Sequence, residues 1–251
     1  MSVLPHDVHG TGEHRVLALH GWFGDRTAFR AITPYLDESA FTYAIPDCRG
    51  YGAAKDVDGE FSTDEVAADA IALADHLGWD TFSVIGHSMG GKAAQRVVTL
   101  APRRVRKLVG ISPVPASGVG FDATIAAFFA SATTNPPVRR AIIDRSTGNR
   151  LPARWLDAMV ARSLACSNAD AFDAYLPHWS ADDFHELVDG VAVPALAVIG
   201  AHDPDLGADA MHATWLKWFP RAELSVLADA GHYAMDETPL ALVSVIERFL
   251  S

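Results

Sequence analysis

One serine in this chain is surrounded by glycines at a point where an apolar, strand-like run passes into a helix-like stretch. The segment GHSMG, residues 86–90, follows that run, and a further glycine comes next. A serine on so sharp a turn takes a strained backbone angle, and side chains two residues to either side would collide. Gly86 and Gly90 remove those side chains. The alternative is a glycine-rich turn with an incidental serine, but the flanks favour Ser88 as an exposed, rigidly held nucleophile.

A serine hydroxyl is a weak nucleophile and needs a general base. Among the eleven histidines, His232 stands out because it follows the last strand-like segment, in the loop ADAGHYAMDETP. The base needs a carboxylate that orients it, and Asp203 follows the preceding strand in VIGAHDPDLG. Asp205 is the alternative acid, further from the strand end. We predict a catalytic set of Ser88, His232 and Asp203, because all three follow strands at the same edge of a sheet.

Acyl transfer also needs hydrogen-bond donors for the oxyanion. The amide of Met89, at the start of the helix after the serine, is one candidate. The other is expected from the loop LHGWFGD, residues 19–25, where we choose the Trp22 amide and keep the Phe23 amide as the alternative. His20 ends a strand and is expected to hold this loop in place by hydrogen bonds. We predict no catalytic role for His87.

Strand-like and helix-like segments alternate along most of the chain. Apolar runs predict strands within residues 15–21, 40–52, 80–86, 105–112, 193–200 and 222–231, and helices are predicted for residues 62–78, 89–102 and 238–250. This alternation predicts an α/β fold with a mostly parallel sheet and helices on both faces. Ser62 and Glu65 fit a capping box at one helix start, and Thr238 is expected to cap the last helix.

A long stretch between two predicted strands breaks the alternation. Residues 113–190 carry four amphipathic helical patterns and no convincing strand. Such an insertion would lie over the carboxyl ends of the strands, where open α/β sheets bind ligands. We therefore predict a helical cap at residues 113–190 and a core domain made of residues 1–112 and 191–251. Five aromatic residues are predicted to line the substrate pocket: Trp22, Phe23, Phe128, Trp155 and Trp179.

Composition limits the possible partners. A chain of 251 residues with a net charge of −11 suits one large domain and argues against nucleic acids and anionic membranes as partners. The first residues carry no secretory pattern, and Cys48 and Cys166 form no C-x-x-C pair. We expect free thiols in a cytoplasmic protein, with one disulfide as the alternative. The histidines of HDVH, residues 6–9, suggest a solvated segment and not a metal site.

The segments together resemble the α/β-hydrolase fold family along nearly the whole chain. HGWFGD matches its oxyanion loop, DCRGYG its D-x-R-G-x-G loop, GHSMGG its nucleophile elbow, GAHDPD its acid loop and GHY its histidine loop. The resemblance is to the branch with a helical cap, which holds esterases, lactonases, cofactor-free perhydrolases and C–C hydrolases. It implies an acid three residues after a strand-ending glycine, which is Asp203 after Gly200. Ser88 counts against dehalogenases and epoxide hydrolases, which have an aspartate there.

The residues and the resemblance predict a serine hydrolase that cleaves a small to medium, fairly apolar carboxylic ester or lactone through an acyl-enzyme. The alternatives are a C–C bond hydrolase or lyase on the same triad, and a ligand-binding member of the fold without turnover. This chemistry needs no metal or organic cofactor. The expected partner is a small molecule, and a homo-oligomer is left open. Because few residues precede Arg15, the antiparallel edge typical of the family is expected to be short or partly absent.

Overall fold

Seven strands form one sheet in the order β1-β3-β2-β4-β5-β6-β7. The computed structural model describes residues 3–251. The strands are β1 (His6–His9), β2 (His14–Leu19), β3 (Phe41–Pro46), β4 (Phe82–His87), β5 (Val105–Ile111), β6 (Ala195–Gly200) and β7 (Ala222–Leu227). Neighbouring strands pair in parallel, except that β1 pairs antiparallel with β3. The predicted mostly parallel sheet is confirmed.

Helices follow most of the strands. They are α1 (Thr63–His76), α2 (Met89–Leu100), α3 (Ala123–Ser131), α4 (Pro136–Ser146), α5 (Ala153–Cys166), α6 (Ala169–Ser180), α7 (His185–Val188), α8 (Ala208–Ala213), α9 (Trp215–Trp218), α10 (Ala234–Glu237) and α11 (Pro239–Leu250). Short 3-10 helices lie at Arg26–Phe29, Thr33–Tyr35 and Gly52–Ala54. Helices α7 to α10 were not predicted, because four to six residues are too few to show a helical period.

The sheet is covered on both faces, as predicted. In β2, Leu17 and Leu19 pack into one apolar cluster, which also holds residues of α1 and α2. Val16 and Ala18, which point the other way, pack into a second cluster with residues of α11. Strands β3, β4 and β6 are buried at every residue. Burial on both faces explains why these strands are continuous apolar runs in the sequence.

The first edge of the sheet differs from the prediction. HDVH is the edge strand β1, with His6 opposite Pro46 and His9 opposite Tyr43, and not a solvated segment without structure. It is only four residues long, and Asp7 and Val8 in its middle are exposed. A short, polar edge strand lacks the apolar run that would predict it. The expectation of a short antiparallel edge is confirmed.

The two predicted helix caps differ in outcome. The Ser62 hydroxyl accepts a hydrogen bond from the Glu65 amide at 3.1 Å, as a capping box requires. The Glu65 carboxylate accepts instead from the amide of Phe61, at 2.9 Å. Thr238 precedes α11, but its hydroxyl donates backwards to the Ala234 carbonyl at 3.5 Å. Its side chain therefore does not cap α11, because α10 directly precedes it and offers a carbonyl acceptor.

Between β5 and β6 the described chain contains five helices, α3 to α7, and no strand. We call these the inserted helices. They rest on the helix that follows the serine, because buried Lys92 of α2 donates to the carbonyls of Trp179 and Asp182. Buried Arg139 of α4 lies 3.8 Å from the ring of Phe172 on α6 and has no carboxylate partner in the described chain. The division at residues 113 and 190 stays a prediction.

Candidate active site

Ser88 lies on a strained turn between β4 and α2. Its backbone angles are φ 54° and ψ −117°, a region that residues with a side chain rarely adopt. A Cβ atom on Gly86 would lie 2.1 Å from the Gly90 carbonyl oxygen, and one on Gly90 would lie 2.4 Å from the Leu19 carbonyl oxygen. Neither position admits a side chain. Glycine at both positions therefore gives the backbone room to turn here, as predicted from the sequence.

Ser88 and His232 line the same small cavity, together with Gly21, Trp22 and Phe23. Ser88 is partly exposed within an otherwise buried segment. Its hydroxyl makes no hydrogen bond to protein within residues 3–251, so it is available to the cavity. Hydrogen bonds between a nucleophile and its base are often long before substrate binds. The structure thus brings the predicted nucleophile and base to one cavity.

The imidazole of His232 is oriented by a buried carboxylate. Asp203, which is 5% exposed, accepts a hydrogen bond from His232 Nδ1 at 2.7 Å. Its other oxygen accepts from the amides of Asp205 and Leu206, at 3.1 and 3.0 Å. Burial raises the pKa of Asp203, but the imidazole charge and these hydrogen bonds outweigh it and lower the pKa below the ordinary value. An ionised acid therefore leaves His232 Nε2 free to accept a proton.

The alternative acid lies elsewhere. Asp205 is exposed and forms an ion pair with Arg145 of α4, in which Nη2 and Oδ1 are 2.7 Å apart. Its amide donates to Asp203, so it supports the carboxylate that contacts His232. The structure therefore brings Asp203, and not Asp205, to the imidazole.

Two further hydrogen bonds fix the backbone of His232. Its amide donates to the carbonyl of Ser146, at the end of α4, at 3.0 Å. Its carbonyl accepts from Nε2 of His87 at 2.9 Å. Burial first, and then the charge of His232, lowers the pKa of His87 to about 3. His87 is therefore a neutral donor at neutral pH, and it holds the histidine loop.

Glu237 accepts hydrogen bonds from the residues on both sides of His232. Its side chain is 1% exposed, and its two oxygens accept from the amides of Gly231 at 2.8 Å and Tyr233 at 3.1 Å. Arg150, in the loop between α4 and α5, lies 3.1 Å from the same carboxylate. Both residues next to His232 in the chain are thus held by one buried group. Glu237 was not predicted as a site residue from the sequence, although it stands five residues after the histidine.

For the ester hydrolysis predicted from the sequence, Glu237→Ala is expected to lower kcat by about 100-fold, because a shift of about 1 Å in a catalytic group costs that much. KM should change far less, since Glu237 does not line the cavity. Glu247→Ala is the matched control, because Glu247 also accepts two hydrogen bonds, from Asp37 and Tyr43, but away from His232. Steady-state kinetics and thermal melting on both variants test this. Equal kcat values for both variants would contradict a positioning role.

The loop after β2 lies against the serine. A Cβ atom on Gly21 would lie 2.8 Å from His87 Nδ1 and 3.1 Å from Ser88 Cβ, so a side chain at this position would crowd both residues. The loop is anchored by Trp22, whose carbonyl accepts from the Tyr51 hydroxyl at 2.8 Å and whose indole donates to the Phe172 carbonyl at 2.7 Å. In the part of the chain that the structure describes, no protein acceptor takes the amide protons of Trp22, Phe23 or Met89. These amides stay the predicted oxyanion donors, with Trp22 and Phe23 as alternatives.

His20 has the structural role predicted for it. It is fully buried, and its Nδ1–H donates to the Gly21 carbonyl at 2.9 Å. Its Nε2 accepts from the Cys48 amide at 3.0 Å. Burial lowers the pKa of His20, which keeps it in the neutral form that these two contacts require. The imidazole therefore ties the loop after β2 to the loop after β3.

Only two of the five predicted pocket aromatics line the cavity, namely Trp22 and Phe23. Phe128 on α3 is 41% exposed, Trp155 donates its indole N–H to Asp236 at 3.2 Å, and Trp179 is buried against Trp22, with ring centres 5.2 Å apart. The prediction that these three line the pocket differs from the structure. Helical periodicity shows which residues of a helix are apolar, but not which of them face a cavity.

Several residues that were not predicted from the sequence also line the cavity. Met159 and Arg162 come from α5, and Tyr233, Met235 and Asp236 follow the histidine. Nothing in the sequence separates Arg162 from other arginines of the inserted helices. The inserted helices therefore reach the cavity through α5, and not through the aromatic residues of α3 or α6.

The structure also describes the potential metal ligands, the two cysteines and the length and character of the helices. Within residues 3–251 there is no group of three or more potential metal ligands. Cys48 and Cys166 are buried and unpaired with each other, and burial raises the pKa of Cys166 to about 12. Both thiols are therefore protonated at neutral pH, since burial raises the pKa of Cys48 as well. None of the helices described has the length and apolar character needed to cross a bilayer.

Known proteins are similar to this chain in sequence and in fold. A family model for the alpha/beta hydrolase fold matches residues 14–239. A putative esterase/lipase of Haemophilus influenzae is 27% identical over 245 residues, which cover 94% of this chain and 83% of that protein. Esterase YbfF of Escherichia coli K12 is also 27% identical over 245 residues, with 94% and 92% covered. The solved esterase of Exiguobacterium antarcticum superimposes with a TM-score of 0.87 at 17% identity, over 98% of this chain and 94% of that one.

Proposed function

This chain belongs to the alpha/beta hydrolase fold family, and on that premise we propose that it is a serine hydrolase of small to medium, fairly apolar carboxylic esters or lactones. The observation that carries the proposal is the shared cavity of Ser88 and His232, with His232 Nδ1 2.7 Å from the buried carboxylate of Asp203. The two esterase relatives, which align with 94% of the chain, support an ester as substrate.

In the first half of the reaction, Ser88 Oγ attacks the substrate carbonyl carbon. His232 Nε2 takes the hydroxyl proton, because Nδ1 keeps its own proton in the hydrogen bond to Asp203. The ionised Asp203 stabilises the imidazolium that forms. The amides of Met89 and Trp22 donate to the oxyanion of the tetrahedral intermediate. When the intermediate collapses, the bond to the alcohol oxygen breaks, and the imidazolium gives that oxygen its proton.

In the second half, water replaces the alcohol. His232 takes a proton from the water as the water attacks the acyl carbon, and a second tetrahedral intermediate forms at the same amides. Its collapse returns Ser88 Oγ as the leaving group, which regains its proton from His232. The carboxylic acid is released, and the residues are as they began. These steps need only this chain's own side chains and amides, with one water molecule consumed.

The walls of the cavity support a substrate that is mainly apolar. Trp22, Phe23, Met159 and Met235 all line it. Apolar walls with a few polar groups are typical of small-molecule sites. Because α5 supplies Met159 to this wall, we also propose that residues 113–190 act as a cap that shapes the acyl or alcohol pocket.

A fluorophosphonate probe distinguishes turnover from mere ligand binding. It is expected to label wild-type protein at one site per chain, on Ser88, because only an activated serine attacks the phosphorus. Peptide mapping by mass spectrometry identifies the labelled residue. Wild-type protein without label, under conditions where a known serine esterase reacts, would support a ligand-binding protein of this fold.

A further inference from the structure

Two oppositely charged side chains lie in the wall of the catalytic cavity. Arg162 of α5 and Asp236 of α10 line the same cavity as Ser88 and His232. Arg162 Nη2 lies 3.6 Å from Asp236 Oδ2. The catalytic steps derived above use neither residue. Two opposite charges in a mostly apolar binding cavity are the type of polar group that fixes the orientation of a ligand.

Arg162 is incompletely paired. Its Nε is buried, and within residues 3–251 no acceptor takes its proton. Its Nη2 is too far from Asp236 for a hydrogen bond, and its close contact is with Met159 Sδ at 2.7 Å, a weak acceptor. A buried donor without a partner is costly. Arg162 Nη1 is not buried and makes no hydrogen bond within residues 3–251, so the guanidinium has a donor that a ligand in the cavity can use.

Asp236 also has unused capacity. One of its oxygens, Oδ2, accepts from the indole N–H of Trp155 at 3.2 Å. Among the described residues, no donor is bonded to the other oxygen, Oδ1. Burial raises the pKa of this carboxyl. A ligand that donates a hydrogen bond would meet an acceptor here, beside the donors of Arg162.

Resting on the proposed function, we infer that the preferred substrate is a neutral ester or lactone that carries an amide group away from the scissile bond. The amide oxygen accepts from Arg162, and the amide N–H donates to Asp236. A carboxylate suits this pair of side chains less well, because the charge of Asp236 repels it and cancels the charge of Arg162. A purely apolar chain leaves the Arg162 N–H unpaired.

Three matched esters test this inference: p-nitrophenyl hexanoate, p-nitrophenyl N-acetyl-β-alaninate and mono-p-nitrophenyl adipate. Their acyl chains have the same number of main-chain atoms and differ in being apolar, amide-bearing or anionic. The quantity measured is the ratio of kcat/KM for the amide ester to kcat/KM for the hexanoate. Each substrate also needs its uncatalysed rate subtracted, since the anionic ester can assist its own hydrolysis.

Arg162→Met is expected to lower that ratio at least about tenfold, because a hydrogen bond to a charged group is lost while the side-chain volume is kept. Arg154→Met is the matched control, on the same helix but exposed and absent from the cavity wall, and it should keep the wild-type ratio. Two results would overturn the inference. One is an unchanged ratio in Arg162→Met. The other is a wild-type preference for the adipate monoester that Arg162→Met abolishes.

Binding to the inactive protein keeps this test separate from the proposed function. In Ser88→Ala, dissociation constants of methyl N-acetyl-β-alaninate and methyl hexanoate can be measured by calorimetry, with and without Arg162→Met. If the protein hydrolyses no ester but the binding ratio still falls about tenfold with Arg162→Met, the proposed function fails and the amide site stands. If esters are hydrolysed and the binding ratio does not change, the amide site fails alone.

Discussion

Ser88→Ala is expected to lower kcat for p-nitrophenyl acetate by about a millionfold, since loss of the nucleophile removes the covalent route entirely. The residual rate then comes from the oxyanion donors and substrate binding alone. Stability should fall little, because the Ser88 hydroxyl has no protein hydrogen bond within the described chain to lose. Stopped-flow or steady-state absorbance at 25 °C, with matched thermal melts, measures both quantities.

Ser112 provides a matched control for Ser88. It directly follows β5 at the same edge of the sheet, and it also has a positive φ, 39°. It is fully buried, and its hydroxyl has no hydrogen-bond partner in the described chain. Ser112→Ala should therefore keep wild-type kcat within about threefold, as for substitutions that break no specific interaction. Full activity of Ser88→Ala, or a comparable loss in Ser112→Ala, would contradict the nucleophile assignment.

The central sheet could be predicted because its strands are buried on both faces. β4 was expected within residues 80–86 and is Phe82–His87, and β6 was expected within 193–200 and is Ala195–Gly200. Such strands must be apolar at every residue, which leaves a clear pattern. β1 left no pattern because only its pairing with β3 makes it a strand. Pairing between segments that are distant in sequence depends on the tertiary fold, so the residues of a short polar stretch do not predict it.

The catalytic candidates were predictable for a chemical reason. A nucleophile, a base and an acid require particular residue types, and a parallel sheet places the loops that carry them at one edge. The strain at Ser88 even required glycines at fixed positions. The same reasoning separated Asp203 from Asp205, since distance from the strand end decides which carboxylate reaches the imidazole.

The walls of the pocket were not predictable in the same way. Phe128 and Met159 both lie on inserted helices, yet only Met159 lines the cavity. Which side of an inserted helix faces the serine depends on how that helix packs, and here buried contacts of Lys92 and Arg139 set the packing. Such contacts join residues far apart in sequence. The pattern of a single helix therefore predicts its apolar side but not its neighbour.

Asp203→Asn is expected to lower kcat by about ten-thousandfold while the fold stays intact. The asparagine oxygen can keep the hydrogen bonds from the amides of Asp205 and Leu206, which require an acceptor. Its NH2 group then faces His232 Nδ1. Since NH2 is a donor, Nδ1 must become the acceptor, and the imidazole proton moves to Nε2. A protonated Nε2 cannot take the proton of Ser88.

The opposite orientation of the asparagine does not rescue the base. It would point the NH2 group at the amides of Asp205 and Leu206. The NH2 group is a donor and so are both amides, so both of their hydrogen bonds would be lost. Asp205→Asn is the control, because it removes only an exposed pair with Arg145, and surface pairs contribute at most about 1 kcal/mol. Its kcat should therefore match wild type. A large loss in Asp205→Asn, with Asp203→Asn close to wild type, would move the acid role to Asp205, because only the true partner of the imidazole controls which nitrogen carries the proton.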